Sequence, residues 1–445
     1  MLPEPIVTVL GNDSSYRVKY LNGNTFQQDA IATFQGWQYA AYYSPLESRS
    51  DNALFVHVAR RRLPSQEWER LVFEDYEQTA DDPHNTVQLG ICPGDGTIHL
   101  SYDHHCDHLR YRVSVPNLAL SPEDFAWRTE QFSSSIDHLP GIPSDHPLLQ
   151  EVTYPRFGCL DKDMFLSFRT GRAGLGSDHL FVYSGESSTY KCLGTNLTGI
   201  MNNPYVNGID YRDGKLHITF TYRGWIHYEG WDDPLDTKHK QHSGPNGIGN
   251  NYDICYVYSE DQGVTWKNGA GDVIAVLTDP FSNSVRPDSP GITAFSIPKH
   301  TGLSNQEAQV VDHAGGVHIL NRDRTSGLQM WKHYYRNPAG TWTSRGLPNV
   351  DGRLAGVRGQ VAVTKSGDLY FVLPGNDAPG TLKILKATKE RDYRDYELVW
   401  EKPGFPWEPL IDRYRLDEDN VLSIFVVRKD GPTGPRKVVV LDFAV

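Results

Sequence analysis

Apolar and polar residues alternate along this chain in short runs punctuated by Gly and Asp, and one unit recurs from end to end. Each unit is a strand, a tight turn, a second apolar strand and then a third, the alternation expected of half-buried sheet. The first predicted unit has strands at 31–34, 38–42 and 54–59, with its turn at Gln35-Gly36. The second has 86–91, 97–102 and 109–113 around Pro93-Gly94-Asp95-Gly96, and the third 156–159, 164–168 and 180–183 around Asp161-Lys162-Asp163. Strands at 206–211, 216–221 and 254–258 (turn Asp213-Gly214) make the fourth, and 309–312, 317–320 and 330–335 (turn Gly315-Gly316) the fifth. The sixth is 360–364, 369–373 and 383–387 about Ser366-Gly367; the last is 411–416, 421–427 and 437–441 about Asp419-Asn420.

Units spaced about fifty to sixty residues apart, without an amphipathic helix between them, predict an all-β fold. The expected architecture is a single seven-bladed β-propeller over residues 1–445, with the strand at 6–10 completing the last blade. A two-sheet sandwich explains the regular repeat less well. One insertion, 224–251, rich in Gly, His, Asp and Trp, lengthens the loop after the second strand of the fourth unit. Ser259-Glu-Asp-Gln-Gly-Val-Thr-Trp266 fits S-x-D-x-G-x-T-W, the Asp-box of sialidase-like blades. Its expected role is structural: Asp261 caps its own turn, Gly263 permits the bend, and Trp266 packs between blades.

A formal charge of -12 argues against a phosphate-binding surface and hence against nucleic acid. No apolar run approaches the ~20 residues that span a bilayer, so no membrane partner is expected. The opening MLPEPIVTVL lacks a basic start and a small-residue cleavage site; the expectation is a secreted, extracellular, monomeric protein whose signal peptide is not part of this sequence. The sequons Asn12-Asp13-Ser14 and Asn196-Leu197-Thr198 agree with secretion but are common by chance. Five cysteines, Cys92, Cys106, Cys159, Cys192 and Cys255, are too few and scattered for a disulfide scaffold, and no CxxC points to zinc.

The candidate chemistry gathers at the ends of the second unit. His84 precedes its hairpin, and Asp103, His104 and His105 follow it. A hairpin returns the chain to its start, so histidines about twenty residues apart meet on one rim. A lone loop histidine is usually an exposed one; two at the open end of one hairpin suggest a site. The same rim positions elsewhere hold Tyr154, Arg169 and Arg172, then Asn202, Asn203, Tyr205, Tyr222 and Arg223. Asn305, Gln306, Arg322, Arg324, Arg353 and Arg358 complete it. Arginine is suited to bidentate carboxylate recognition, and Trp225, Trp231 and Trp331 offer faces for sugar rings. An acidic protein with one rim dense in Arg, His and Tyr points to a uronic-acid ligand.

DPHNTVQLGI, DGTIHLSYDHH, VTYPRF, SFRTGRAGLG and NNYDICYVYSEDQGVTW resemble the propeller-fold polysaccharide lyases, a group that includes the ulvan lyases. Within that group the chain is most similar to the fungal L-rhamnose-α-1,4-D-glucuronate lyases of polysaccharide lyase family 27, which trim gum arabic. The resemblance implies β-elimination, with His105 as acid and base, and with His84 and Tyr154 beside it. It also implies Arg169, Arg172 and Arg223 on the uronate carboxylate; by their rim positions Tyr222, Asn203, Arg322 and Arg358 are further candidate substrate contacts. Strand alternation puts His105 on the face of Asp103 and Ser101, and His104 on the other.

The chemistry follows from general principles as well. Pairing the carboxylate with Arg stabilises the charge that develops when the C5 proton leaves. A histidine can take that proton and protonate O4, which lies on the same ring face in a glucuronate. No cofactor is required; a structural calcium could brace the fold, but no ligand cluster in the sequence establishes one. The alternatives are a uronate-specific hydrolase of sialidase-like propeller type and a non-catalytic carbohydrate-binding propeller. The hydrolase would need facing carboxylates, and the rim acids are few: Glu307, Glu408 and Asp412. The F-R-I-P element usual near the N-terminus of sialidases is absent.

Overall fold

The computed structural model describes all residues except 15–16, 47, 50–52, 232–242, 278–283, 349, 351–356, 376–379 and 432–433. Its strands form seven antiparallel sheets, taken up one after another along the chain. They are the blades of a β-propeller, numbered here in chain order. The strands that open them are Ile31–Phe34, Val87–Ile91, Val152–Leu160, Asn202–Arg212, Ala308–Val311, Gln360–Val363 and Leu410–Asp412. The ring closes with a latch: Ile6–Asn12 pairs with Arg436–Ala444 at the edge of blade 7, Ile6 opposite Asp442.

Apolar faces of neighbouring blades meet in the core. Trp266 is fully buried in a cluster with Leu180 and Leu193 of blade 3 and Phe220 of its own blade 4. The turn before it is tied by Asp261, whose carboxylate accepts from Ser259 Oγ at 2.8 Å and from the Thr265 amide at 2.7 Å. Gly263 has φ 93°, and a Cβ there would lie 2.3 Å from Leu180 Cδ2. Only glycine both turns this corner and lets the blades touch.

Two segments depart from the sequence pattern in ways that shape the interior. The predicted strand 411–416 is cut short at Asp412, and Arg413–Asp419 is an α-helix. The Asp412 side chain accepts the Arg415 amide as an N-cap, and Asn420, at φ 53°, ends the helix. This helix reaches across the channel: Arg413 pairs with Asp29 and Asp210, Tyr414 Oη meets Cys159 Sγ at 3.4 Å, and Asp417 accepts from Arg212 at 2.9 Å. One end of the propeller axis is thereby stoppered. In blade 2 the chain leaves its own sheet after Tyr102: His105–Asp107 pairs with blade 3, His105 opposite Thr153. All five cysteines are unpaired. Asn196 is fully buried, so its sequon is closed to a glycan. Among the described residues no helix is long and apolar enough to cross a membrane.

Candidate active site

The Asp82-Pro83-His84-Asn85 segment is a tight turn, with the Asn85 amide donating to the Asp82 carbonyl at 3.1 Å. Asp82 Oδ1 also accepts the His84 amide at 3.0 Å, and proline at the second position pre-sets the bend. At the far end of the hairpin Asp103 is a buried anchor, accepting from Asn85 Nδ2 at 2.5 Å, Gln78 Nε2 at 3.1 Å and the Tyr76 hydroxyl. Asp103 and Cys106 both have left-handed φ (63° and 55°), a strained choice for non-glycine residues that re-aims the chain on either side of the histidines.

His84 and His105 stack with ring centroids 3.9 Å apart. Their Nδ1 atoms meet the two oxygens of one carboxylate, His84 on Asp82 Oδ1 at 2.5 Å and His105 on Oδ2 at 2.9 Å. His104 turns away, its Nε2 accepting the Arg110 amide at 2.8 Å. Burial, then the neighbouring His84, pushes His105 down to about 3 despite the hydrogen bond to Asp82, so its ring is neutral near pH 7. Burial would raise the Asp82 carboxyl, but the hydrogen bonds from His105 and His84 hold it far below its ordinary value.

Asp82, His84 and His105 are also the one group among the described residues with the donors and spacing to hold a metal ion. Two donors on a tetrahedral zinc, each ~2.0–2.1 Å from it, would stand roughly 3.3 Å apart. The contacts here are 2.5 and 2.9 Å, the spacing of hydrogen bonds.

Tyr154 lies in a register shift of blade 3 with φ 57°, a bulge that swings its ring inward. The ring is 4.9 Å from Phe26 and 5.6 Å from His84. Burial foremost, then Tyr205, raises its hydroxyl above the ordinary value, so it stays a neutral phenol. Arg169 lies over Tyr154 at 4.9 Å and donates from Nη1 to Tyr205 Oη at 3.2 Å. Arg223 donates from Nη1 to the same oxygen at 3.1 Å, from Nε to Asn251 at 2.9 Å and from Nη2 to Asn305 at 2.8 Å. Among the described residues no carboxylate pairs with either guanidinium. Burial would raise the Tyr205 hydroxyl, but Arg223 and Arg169, then Asn203, bring it below its ordinary value.

Phe26 comes from a loop crossing the channel. The Thr25 amide donates to Glu408 at 2.7 Å, Arg156 donates to the Phe26 carbonyl at 3.0 Å, and Gln28 donates to the Ile209 carbonyl at 3.0 Å. Arg358 closes the cluster, 5.7 Å above Phe26, bonded to the Asn305 carbonyl at 2.8 Å and to Glu408 at 3.3 Å.

His84, His105, Tyr154, Arg169, Arg223 and Arg358 thus converge as the sequence suggests, Asn203 supports them through Tyr205, and three other positions do not join them. Tyr222 is 2 % exposed and packs with Phe220 in the inter-blade core, because alternate residues of a strand face opposite ways and Arg223 takes the inward position. Arg322 is also 2 % exposed, paired with Glu307 at 3.1 Å and lying over the buried Trp331, which offers no sugar face. Arg172 donates to the Trp231 carbonyl and so holds the insertion instead. Asn203 is fully buried, accepting the Gly174 amide and bonded to Tyr205, so it supports the cluster from within the protein. Arg353 and the middle of the insertion lie outside the described residues. The sequence reading held Asp82 only as part of the DPHN motif and gave it no role, although a D-P-H turn with side-chain capping could have flagged one, and it passed over Phe26, for which strand pattern offers no signal.

Residues 37–350 match the BNR repeat-containing family. The chain belongs to that family. Relatives include a long-isoform ulvan lyase of Alteromonas sp, 25% identical over 360 residues, covering 70% of this chain and 34% of that protein. A Glaciecola sp. (strain KUL10) long-isoform ulvan lyase is 26% identical over 368 residues, with 70% and 33% covered. The chain therefore spans about a third of the length of these curated relatives. In fold, this family member is similar to the polysaccharide lyase Uly1, with TM-score 0.69 at 18% identity over 99% of this chain and 97% of that one. An ulvan lyase of polysaccharide lyase family 25 superposes with TM-score 0.66 at 14% identity, covering 97% and 94%.

Proposed function

We propose that this protein is a polysaccharide lyase that cleaves an L-rhamnose-α-1,4-D-glucuronate linkage by β-elimination. The observation that carries this reading is the pair Arg169 and Arg223, drawn together around Tyr205 with no carboxylate among the described residues paired to either. Uncompensated guanidinium charge in a partly buried site is costly unless an anion fills it. A uronate carboxylate fits, and its binding would draw off charge as C5 loses its proton.

In the proposed step His105 Nε2 takes the C5 proton, the electron pair forms the C4–C5 double bond, and the C4–O4 bond breaks. The same ring returns the proton to O4, releasing L-rhamnose and leaving a 4,5-unsaturated glucuronate. Tyr154, a neutral phenol beside His84, is positioned to donate to the departing oxygen or the carboxylate. No metal is needed for these transfers. Support also comes from the ulvan-lyase relatives, and from a family 25 ulvan lyase solved with -[GlcA(1-4)Rha3S]- bound, at TM-score 0.66 and 13% identity. Rhamnose-capped glucuronate side chains of the gum arabic or arabinogalactan type are the proposed substrate, met outside the cell.

Among the described residues, the rim acids that the hydrolase alternative would need are committed elsewhere. Glu408 is fully buried and taken up by Thr25 and Arg358, Glu307 by Arg322, and Asp412 caps a helix. The test is the mass of the uronate product from a rhamnose-capped glucuronate oligosaccharide. The lyase yields a product one water lighter than hydrolysis would, with new ultraviolet absorbance from the conjugated double bond. A saturated uronate of full mass would overturn the proposal.

A further inference from the structure

Asp82 meets the histidine pair in an unusual way: one carboxylate, two imidazoles, one oxygen for each Nδ1. An ionised carboxylate can only accept, so both rings must present an N–H at Nδ1. With Nδ1 committed on each ring, Nε2 is the one nitrogen left to meet a ligand, and there it carries a lone pair. Neither Nε2 has a hydrogen-bond partner among the described residues. The stack at 3.9 Å keeps the two rings from turning independently.

We infer that Asp82 is a positioning residue that locks His84 and His105 together in the Nδ1–H tautomer, so that both face the substrate as acceptors. This rests on the lyase reading above, in which His105 takes the C5 proton, and deepens it. An imidazole free to choose would spend part of its time with Nε2 protonated and unable to act as a base. Asp82 also holds the backbone turn through the His84 amide at 3.0 Å, so a structural role must be separated from an orienting one.

Asp82→Asn makes that separation, because asparagine caps the same turn but offers the rings one acceptor and one donor. One imidazole must then accept from the amide at Nδ1 and carry its proton at Nε2. With the protein labelled by 15N-histidine, His84 and His105 signals are assigned from their loss in His84→Gln and His105→Gln. Both should be Nδ1–H in the native protein, and at least one should switch to Nε2–H in Asp82→Asn. Turnover of a rhamnose-capped glucuronate oligosaccharide should fall ~10²–10⁴-fold, as when an orienting carboxylate becomes an amide, with KM and melting temperature little changed. Asp82→Glu, which keeps two acceptors, should retain both tautomers and recover part of the turnover even if the asparagine variant folds poorly.

Unchanged tautomers in Asp82→Asn, or switched tautomers with undiminished turnover, would overturn the assignment. So would loss of native activity on chelation with EDTA and its return with zinc or calcium, which would make Asp82 a metal ligand. The tautomer spectrum needs no turnover. If the native protein yields no unsaturated product, the lyase reading fails while the spectrum still decides the role of Asp82.

Discussion

Two stacked histidine pairs in this propeller use the same ingredients to opposite ends. In blade 5, His318 and His333 stack at 5.1 Å, and all four ring nitrogens are engaged. His318 Nδ1 meets His333 Nε2 at 2.9 Å, His318 Nε2 meets Asp312 at 3.2 Å, and His333 Nδ1 meets Tyr396 Oη at 3.0 Å. That pair is a sealed polar network inside the core. In blade 2, Asp82 engages only the Nδ1 atoms of His84 and His105, and the His84 side chain is 30% exposed. The arginines repeat the contrast. Arg413, at the stoppered end, is matched by Asp29 and Asp210, whereas Arg169 and Arg223 are held by neutral groups. What marks the site is the bonding capacity it leaves unused: among the described residues neither Nε2 of its histidine pair has a partner, whereas every ring nitrogen of the blade 5 pair is engaged.

The histidine contrast breaks most directly under substitution. His105→Ala should cut turnover ~10²–10⁴-fold, the usual cost of losing a general acid or base, with little change in melting temperature. His333→Phe should do the reverse, lowering stability by about 1–3 kcal/mol as His318 and Tyr396 lose a partner, with turnover intact. Equal effects of both variants on turnover would erase the distinction; steady-state kinetics and thermal melts on the same samples decide it.

The arginine contrast is the next largest. Arg413→Met strands two buried carboxylates and should destabilise the protein by about 3–5 kcal/mol in denaturant melts. Arg169→Met strands none among the described residues, so it should melt at or above the native temperature while substrate affinity falls. The expected loss is about 1.5–3 kcal/mol of binding, the worth of a charge-assisted hydrogen bond.

These contrasts were partly legible in the sequence. The hairpins were, because period-two alternation and Gly- or Asp-marked turns report directly on sheet. His84 and His105 were, because a hairpin must bring its ends together. The helix Arg413–Asp419 was not: Ile411 and Leu416 fit a strand, and the choice was made by Asp412 capping the Arg415 amide. Tyr222 and Arg223 could not both face inward, a limit that alternation already sets. Arg322 and Arg169 look alike in a rim list, and only the burial of Glu307 beside one of them tells them apart. Asp82 was hidden by ordinary loop composition, since its importance lies in two contacts, one of them to a residue in another strand.

The smallest effect expected is on pH dependence. Burial lowers His318 and, well below the ordinary value, His333, with His318 as the next cause for the latter. The folded state keeps these rings neutral while the unfolded chain binds protons below about pH 6.5, so their contribution is complete above that pH and is lost as pH falls. Asp13 and Asp178, each raised to about 6 mainly by burial, pull the other way, so the comparison belongs between variants. His333→Phe should show a shallower loss of stability between pH 6.5 and 4.5 than the native protein, by at most about 1.4 kcal/mol per pH unit. Parallel curves would show that the sealed pair does not titrate on unfolding.

The central claim is that Arg169 and Arg223, paired with no carboxylate among the described residues, await one, and one binding measurement tests it most directly. His105→Ala protein, which should bind without turnover, is titrated calorimetrically with a rhamnosyl-glucuronate oligosaccharide and with its carboxyl-reduced rhamnosyl-glucose counterpart. The account predicts that reduction of the carboxylate weakens binding about 10- to 150-fold, the equivalent of about 1.5–3 kcal/mol, and that Arg169→Met together with Arg223→Met abolishes the preference. Equal affinity for the two sugars would contradict it.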